Sequence, residues 1–309
     1  MSATVAGPVP SNRLGSAALV LGGAALFGTV GTAQMLGPDV PAAQLAAARL
    51  LLAAAVLVLV AVVTHQLLGL SIAWRHAPTW WAGLGQASFN LCFLGAMGQA
   101  GVAVGTLVAI GATPVLTGIA TRQVSRSWLV ATGVAVAGLA LLVGGQIGSG
   151  TAPSGWGILL ALGASASYAT YIIAGNAAAA RRLETQSFLA SAFSISALFT
   201  LPLLFLGDVR WVAGGAGALL VAYLAVVPTV AAYSLFNRGL RGVRAGTAAT
   251  LGLVEPVVAA LLAVLLVGER LSAVGTGGAL LVVVGLLLIV AAARDSSPDS
   301  SVGENRVRA

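Results

Sequence analysis

The chain has 309 residues, of which 59% are hydrophobic and only 7% are charged, and its formal net charge is +7 at pH 7. A soluble domain carries about 25% charged residues because its surface contacts water, so this composition excludes an ordinary soluble protein. The positive charge does not indicate nucleic-acid binding, because the fifteen arginines are dispersed between apolar runs and form no basic face.

Ten apolar stretches follow one another along the chain. A membrane-spanning helix needs about 20 apolar residues at a rise of roughly 1.5 Å per residue. The stretches of this length are 14–36, 42–64, 80–99, 103–121, 128–146, 155–179, 185–206, 215–237, 245–267 and 271–293. The first is too long for the apolar region of a signal peptide, so we interpret it as a spanning helix. The sequence thus predicts an all-α integral membrane protein with ten transmembrane helices.

Arginines mark alternate ends of these predicted helices. Twelve lie in the tails and in every second loop: Arg13, Arg75, Arg122, Arg126, Arg181, Arg182, Arg238, Arg241, Arg244, Arg294, Arg306 and Arg308. Only Arg210 and Arg270 lie in the other loops, and Arg49 lies inside a span. Because cytoplasmic loops of membrane proteins are rich in basic residues, both termini are predicted to be cytoplasmic in a multi-pass protein of the cell (inner) membrane.

An internal repeat divides the chain into two halves, 14–146 and 155–293, flanked by cytoplasmic tails at 1–13 and 294–309, the second predicted to be disordered. Gly98, Gly101, Val102, Gly105, Thr106 and Gly111 recur 141 positions later as Gly239, Gly242, Val243, Gly246, Thr247 and Gly252. Five spans per copy would place the second copy upside down, and equivalent loops do differ in arginine content. The sequence therefore predicts two inverted five-helix repeats, an architecture of secondary transporters whose substrate site lies between the repeats.

Two charged residues lie well inside the predicted spans, Glu255 in the ninth and Arg49 in the second. A charge at the bilayer centre costs at least about 2.5–3.5 kcal/mol, so we expect both to face the protein interior or a water-filled cavity. Glu255 lies near the midplane and could bind a cation or proton, or satisfy backbone groups freed by Pro256. Arg49 could hold a carboxylate or phosphate in a bidentate fork, snorkel toward the membrane surface, or tie helix ends together through carbonyl groups.

Further candidate residues are polar or aromatic. Tyr168 and Tyr171 are three residues apart and share one face of the sixth predicted helix. With Asn90 in the third span and Tyr233 in the eighth, they could line a pocket for an aromatic or amphipathic solute, or serve helix packing alone. Three prolines in the middle of spans predict bent or interrupted helices, namely Pro114, Pro228 and Pro256.

No catalytic or metal-binding pattern emerges from the sequence. His65 and His76 lie in the same predicted loop without a second metal ligand at a recognisable spacing. The single cysteine, Cys92, lies inside a span and can form no intramolecular disulfide. We therefore expect no enzymatic activity, no metal and no cofactor.

Two segments carry a family resemblance. One is the run from Gly252 to Ala260, Gly-Leu-Val-Glu-Pro-Val-Val-Ala-Ala, which continues through Gly268 and Glu269; the other surrounds Arg49. They resemble the penultimate and second helices of the EamA-type drug/metabolite transporter superfamily, and the resemblance extends over roughly residues 14–293. The first repeat departs from the pattern because it has Thr113 before its proline and lacks the acidic residue.

The resemblance implies secondary transport, often export, of amino acids, related metabolites or drugs. We expect a small-molecule substrate and the lipid bilayer as partners, a proton or other ion as a candidate for coupling, and no nucleic acid; the sequence does not fix the oligomeric state. One alternative is a nucleotide-sugar or sugar-phosphate carrier, although a single intramembrane arginine is too few to balance several phosphate charges. Another is a noncatalytic membrane scaffold.

Overall fold

The computed structural model describes residues 13–145, 154–268 and 270–295, and the regular secondary structure of these segments is helical. We number the long helices in chain order and disregard short breaks within them. They are α1 (Arg13–Leu36), α2 (Ala42–Val63), α3 (Ala77–Ala100), α4 (Val102–Thr121), α5 (Arg126–Gly144), α6 (Gly155–Ala180), α7 (Thr185–Leu206), α8 (Gly215–Gly239), α9 (Ala245–Val267) and α10 (Ala273–Asp295). A short helix, Leu67–Trp74, connects α2 to α3.

Nine of these helices, within the described part of the chain, are long and apolar enough to cross a membrane. The exception is α3, whose 24 residues have sufficient length. Its sequence contains Gln86, Asn90 and Gln99, and these polar side chains lower its mean hydropathy. The prediction of an all-α membrane protein is confirmed, whereas the tenth crossing stays a prediction.

Contacts between loops sort the helix termini into two groups. At one end, the guanidinium of Arg241 after α8 donates a hydrogen bond to the carbonyl oxygen of Leu183 before α7, at 2.9 Å. At the other end, the indole of Trp211 before α8 donates to the side chain of Gln44 at the start of α2, at 2.8 Å. The first group contains most of the arginines in the loops, and we call it the basic end of the bundle.

The helices pack in four extensive pairs, α3 with α6, α1 with α8, α2 with α7, and α5 with α10. Glycines allow the backbones of these pairs to approach closely. A Cβ atom on Gly23 of α1 would lie 2.6 Å from the carbonyl oxygen of Ala232 in α8. A Cβ on Gly85 of α3 would likewise lie 2.8 Å from the carbonyl oxygen of Ser167 in α6. In lipid, helices associate largely through such close packing, so these glycines hold the bundle together.

Helix α8 contains a π-helical segment, Val226–Ala231. Pro228 has no N–H group, so the carbonyl oxygen of Leu224 loses its usual donor four residues later. The hydroxyl of Thr229 donates to that oxygen instead, at 2.7 Å. The extra residue in the turn changes the direction of the side chains that follow, including Tyr233.

Helix α9 is interrupted at residues 252–253. Around the break, the amides of Leu253 and Glu255 donate to carbonyl oxygens three residues earlier, both at 3.0 Å. This tighter 3₁₀ pattern precedes Pro256, which cannot donate to the helical ladder. As a result, Glu255 lies in the first turn of a second helical piece, Val254–Leu262.

Several sequence predictions fall outside the described residues. They concern the acidic loop residue Glu269, the loop that contains Gly150, and the tail segments 1–12 and 296–309.

Candidate functional site

Arg49 is the eighth residue of the 22-residue helix α2 and is half-buried. One terminal nitrogen of its guanidinium donates to the side-chain oxygen of Asn90 in α3, at 2.8 Å. Its Nε atom is buried and has no hydrogen-bond partner. Because a guanidinium presents five donors in a planar fork, Arg49 keeps unused capacity for an acceptor.

Helix α3 contributes two amide side chains, Gln86 and Asn90, which lie one turn apart on the same face. Both are buried, at 3% and 4% exposure respectively. The Asn90 amide nitrogen donates to the backbone carbonyl of Gln86, at 2.8 Å, which fixes the oxygen of Asn90 toward Arg49. The Gln86 side-chain oxygen accepts from the hydroxyl of Tyr233 in α8, at 3.0 Å. This helix therefore joins Arg49 to the tyrosines.

The tyrosines form a second connection, between α8 and α6. The rings of Tyr233 and Tyr171 meet edge to face, with centroids 5.1 Å apart. The amide nitrogen of Asn237 donates to the Tyr171 hydroxyl at 2.6 Å and to the backbone carbonyl of Tyr233 at 2.9 Å. The side-chain oxygen of Asn237 is buried without a partner. These contacts lock both rings in place.

Aromatic rings surround this polar group. Phe27 of α1 and Phe193 of α7 contact Tyr233, at centroid distances of 4.7 Å and 4.9 Å. Tyr168 lies 6.4 Å from Tyr171 and 5.3 Å from Phe89 of α3. Rings from α1, α3, α6 and α7 thus pack around the tyrosines and limit the access of water and lipid to them.

Glu255 of α9 lies within electrostatic range of Arg49, Tyr168 and Tyr233. Glu255 and Arg49 nevertheless form no ion pair with each other in the described structure. The carboxylate is half-buried, and no described residue donates a hydrogen bond to it. A Cβ atom on Gly28 would lie 2.6 Å from the Glu255 carbonyl oxygen, so α1 packs directly against the backbone of α9 here.

The structure brings together the six polar, charged or aromatic residues that the sequence singled out. We use the name central cluster for these six and two further residues: Arg49, Gln86, Asn90, Tyr168, Tyr171, Tyr233, Asn237 and Glu255. Sequence reasoning missed Gln86 and Asn237. Each lies four residues from a predicted member, Asn90 or Tyr233, and is a polar side chain within an apolar helix, which was the available signal.

The three prolines fall in different settings. Pro228 lies in the π-helical segment of α8, and Pro256 follows the break in α9. Pro114 lies inside α4, which is continuous over Val102–Thr121. Proline thus interrupts the helix beside Tyr233 and beside Glu255 but leaves α4 intact.

No group of three or more His, Cys, Asp or Glu that could hold a metal ion occurs among the residues the structure describes. The two charged members of the central cluster come from different helices, α2 and α9, and have opposite sign. This arrangement suits the binding of a polar solute or an ion between the helices.

Residues 155–291 match the EamA-like transporter family. Over 285 residues the chain is 36% identical to the protein named uncharacterized transporter YwfM of Bacillus subtilis (strain 168), and this alignment covers 89% of the chain and 93% of the relative. Another protein of known crystal structure shares the fold, with a TM-score of 0.77 and 20% sequence identity. The similarity covers 91% of this chain and 99% of that chain. The family match and the similarity to the Bacillus subtilis transporter confirm the predicted family resemblance. The chain is a membrane transporter that belongs to the EamA-like transporter family.

Proposed function

We propose that the protein is a secondary transporter that exports small amphipathic metabolites, such as amino acids, by alternating access at the central cluster. The observation that carries the proposal is the relation between Arg49 and Glu255. Two opposite charges interact inside the bundle without forming an ion pair, and both retain unused hydrogen-bonding capacity. Intramembrane charges are costly, and they mark substrate or ion pathways more often than structural positions.

The chemistry of the central cluster favours a zwitterionic cargo. The guanidinium of Arg49 can bind a carboxylate, and the Glu255 carboxylate can bind an ammonium group. The phenyl and phenol rings around them offer an apolar surface to the remainder of the molecule. An amino acid with an apolar or aromatic side chain satisfies all three features.

Glu255 also offers a mechanism of coupling. A carboxylate can hold either a proton or a cationic group of the cargo, but not both. If the site is exposed to the two sides of the membrane in turn, this competition links the flux of cargo to the flux of protons. The break in α9 places Glu255 beside an interruption of its helix, which supports a role in such a transition.

We further propose that all ten long helices cross the membrane and that 14–146 and 155–293 are inverted copies. The helix packing supports this duplication. If each helix of the first half is replaced by its counterpart five helices later, and the reverse, the contact between α3 and α6 becomes the contact between α8 and α1. The contacts α2–α7 and α5–α10 are unchanged by this exchange. A two-fold axis in the membrane plane produces this pattern.

The orientation follows from the basic end of the bundle. Arginines are retained on the cytoplasmic side of membrane proteins, so we propose that this end and both chain termini face the cytoplasm. The protein would then lie in the cell (inner) membrane.

A nucleotide-sugar or sugar-phosphate carrier is a weaker candidate. Such cargoes carry several negative charges, whereas the central cluster contains one arginine and one acid, whose charges cancel. A noncatalytic scaffold has no need for this set of buried polar side chains, which costs stability unless every member is satisfied.

The proposal can be tested by metabolite profiling of cells that contain or lack the protein. We expect one or more zwitterionic amphipathic metabolites to decrease inside the cells and to accumulate outside when the protein is present. The Glu255→Gln protein, expressed at the same level, serves as the matched control. The proposal would be contradicted if cells with the wild-type protein, with the Glu255→Gln protein and with no protein all had the same internal and external metabolite levels.

A further inference from the structure

A second polar site lies at the basic end of the bundle, away from the central cluster. It is a cavity of about 390 Å³. The start of α1, the loop between α4 and α5, the loop between α8 and α9, and the end of α10 surround it. None of the eight members of the central cluster lines this cavity.

The cavity is strongly basic. Arg13, Arg241 and Arg244 line it, and none of its described lining residues is acidic. Arg244 is exposed, and no described residue accepts a hydrogen bond from its guanidinium. The cavity therefore presents at least one arginine whose guanidinium is bound by no residue that the structure describes.

The loop that carries Arg241 and Arg244 is held in a fixed position. The side-chain amide of Asn176 in α6 donates to the carbonyl oxygens of Leu240 and Val243, at 2.9 Å and 3.0 Å. These two bonds anchor the loop beside α6, so the arginines are presented by an ordered segment of backbone. Because the backbone here is already fixed, ligand binding has to order only the arginine side chains.

Trp128 supplies the second observation. It lines the cavity and is only 6% exposed, yet its indole Nε1 has no hydrogen-bond partner. The six-membered part of the indole packs against Gly118 of α4, and the Nε1 atom lies 3.4 Å from where a Cβ on Gly246 of α9 would be. A buried N–H without an acceptor costs about 1–3 kcal/mol. An indole nitrogen only donates, so the missing partner is an acceptor.

We propose that this cavity is an anion site that binds a phosphate group. Arginine guanidinium groups and an indole N–H are all donors, and phosphate oxygens are strong acceptors that match the fork of arginine. The group could belong to a phospholipid at that face of the membrane or to a soluble phosphate. Basic pockets between membrane helices bind anionic lipid headgroups in this way. The proposal does not depend on the transport mechanism, because the central cluster takes no part in it.

The test uses the purified full-length protein in an uncharged detergent and follows its thermal unfolding midpoint at constant ionic strength. One arm adds sodium orthophosphate against sodium chloride. The other arm adds dihexanoyl phosphatidylglycerol against dihexanoylglycerol, which lacks the phosphate. A ligand that binds the folded protein raises the midpoint with the logarithm of its concentration once that concentration exceeds the Kd, and this dependence gives its affinity.

We expect Arg244→Gln to weaken this affinity by about tenfold, because one charge-assisted hydrogen bond is lost. Arg238→Gln is the matched control, because Arg238 is exposed nearby in the chain but does not line the cavity. The affinity of this variant for the probe should stay within about twofold of the wild-type value. Trp128→Phe should weaken the affinity while keeping an aromatic ring in place.

A rise of the midpoint with orthophosphate beyond that with sodium chloride would assign the site to soluble phosphate. Binding of phosphatidylglycerol alone would assign it to a lipid headgroup, and both results support the proposal. A wild-type midpoint that rises with neither probe beyond its own control would overturn it. So would an equal loss of affinity in Arg238→Gln and Arg244→Gln, since that result would indicate general charge attraction.

Discussion

Glu255 is the residue through which cargo and protons compete in this account. We predict that Glu255→Gln, which keeps the size of the side chain but cannot ionise, folds and inserts as the wild type does. In the wild type, affinity for a cargo with an ammonium group should rise with pH, because deprotonation of the carboxylate frees it to bind the cation. In Glu255→Gln the affinity should be low and independent of pH. Cargo titrations of both purified proteins across a pH series measure this difference; a wild-type pH profile in the variant would make the carboxylate structural.

Arg49 is predicted to bind the anionic group of the cargo. Arg49→Lys keeps the positive charge but loses the planar fork, so we expect cargo affinity to fall by about tenfold, while Arg49→Ala should abolish measurable binding. Arg49→Ala also leaves the Asn90 oxygen without its donor. Binding assays on detergent-purified protein provide the measurement. If both variants bind and transport cargo normally, Arg49 does not belong to the site.

The hydroxyl of Tyr233 is predicted to matter for stability as well as for the site. Tyr233→Phe retains the ring contacts but leaves the Gln86 side-chain oxygen buried without its donor, at a cost of about 1–3 kcal/mol. Tyr223→Phe, on the same helix, is the control because Tyr223 is partly exposed, at 36%. Thermal unfolding in detergent should show a lower midpoint only for Tyr233→Phe. Equal midpoints for the two variants would contradict a stabilising hydrogen bond between Tyr233 and Gln86.

At the scale of single residues, the sequence predicted candidates better than their partners. Glu255 and Arg49 stand out because charges are rare in apolar spans, and that signal needs no structure. Gln86 and Asn237 carry no charge, and the sequence does not show that one faces Tyr233 and the other Tyr171. Their roles depend on how α3, α6 and α8 rotate against one another, which is a property of the packed bundle.

At the scale of the helices, apolar length predicted the positions of the long helices well and their internal breaks less well. The short helix Leu67–Trp74 was not predicted, because its apolar residues belong to the interval between two longer runs. Pro114, Pro228 and Pro256 look alike in the sequence, yet only the latter two accompany an interruption. Whether a proline breaks a helix depends on how its neighbours satisfy the freed carbonyl group, as Thr229 does for Leu224 in α8.

The close approach of α1 to α8 gives a prediction at this scale. A Cβ on Gly23 would lie 2.6 Å from the Ala232 carbonyl oxygen and 2.9 Å from the Phe236 amide nitrogen, both of which are backbone atoms. Gly23→Ala must therefore separate the helices, at a cost of about 1–3 kcal/mol. The neighbouring Gly22 is the control, since its Cβ would meet only the Leu235 side chain at 3.9 Å. Thermal unfolding of the two variants should show a lower midpoint for Gly23→Ala alone. Equal destabilisation by Gly22→Ala would contradict the prediction.

At the scale of the whole molecule, the arginine distribution predicts the topology. Reporters fused after Arg126, Arg182 and Arg244 should register as cytoplasmic, and reporters near Gly150 and Arg210 as external. The physical reason is that basic loops resist translocation across the membrane. If the Gly150 and Arg182 reporters lay on the same side of the membrane, the inverted duplication would be wrong, although the family assignment would stand.

The central claim is that this transporter carries its cargo by alternating access rather than through an open path. Counterflow in reconstituted vesicles tests it most directly, with the cargo identified by metabolite profiling. Vesicles that contain the protein and are preloaded with unlabelled cargo should transiently accumulate labelled cargo above its external concentration, because each return of a loaded carrier exchanges one molecule for another. Vesicles with Arg49→Ala protein should not. Labelled uptake that never exceeds the external concentration, or that equals uptake by protein-free vesicles, would contradict the claim.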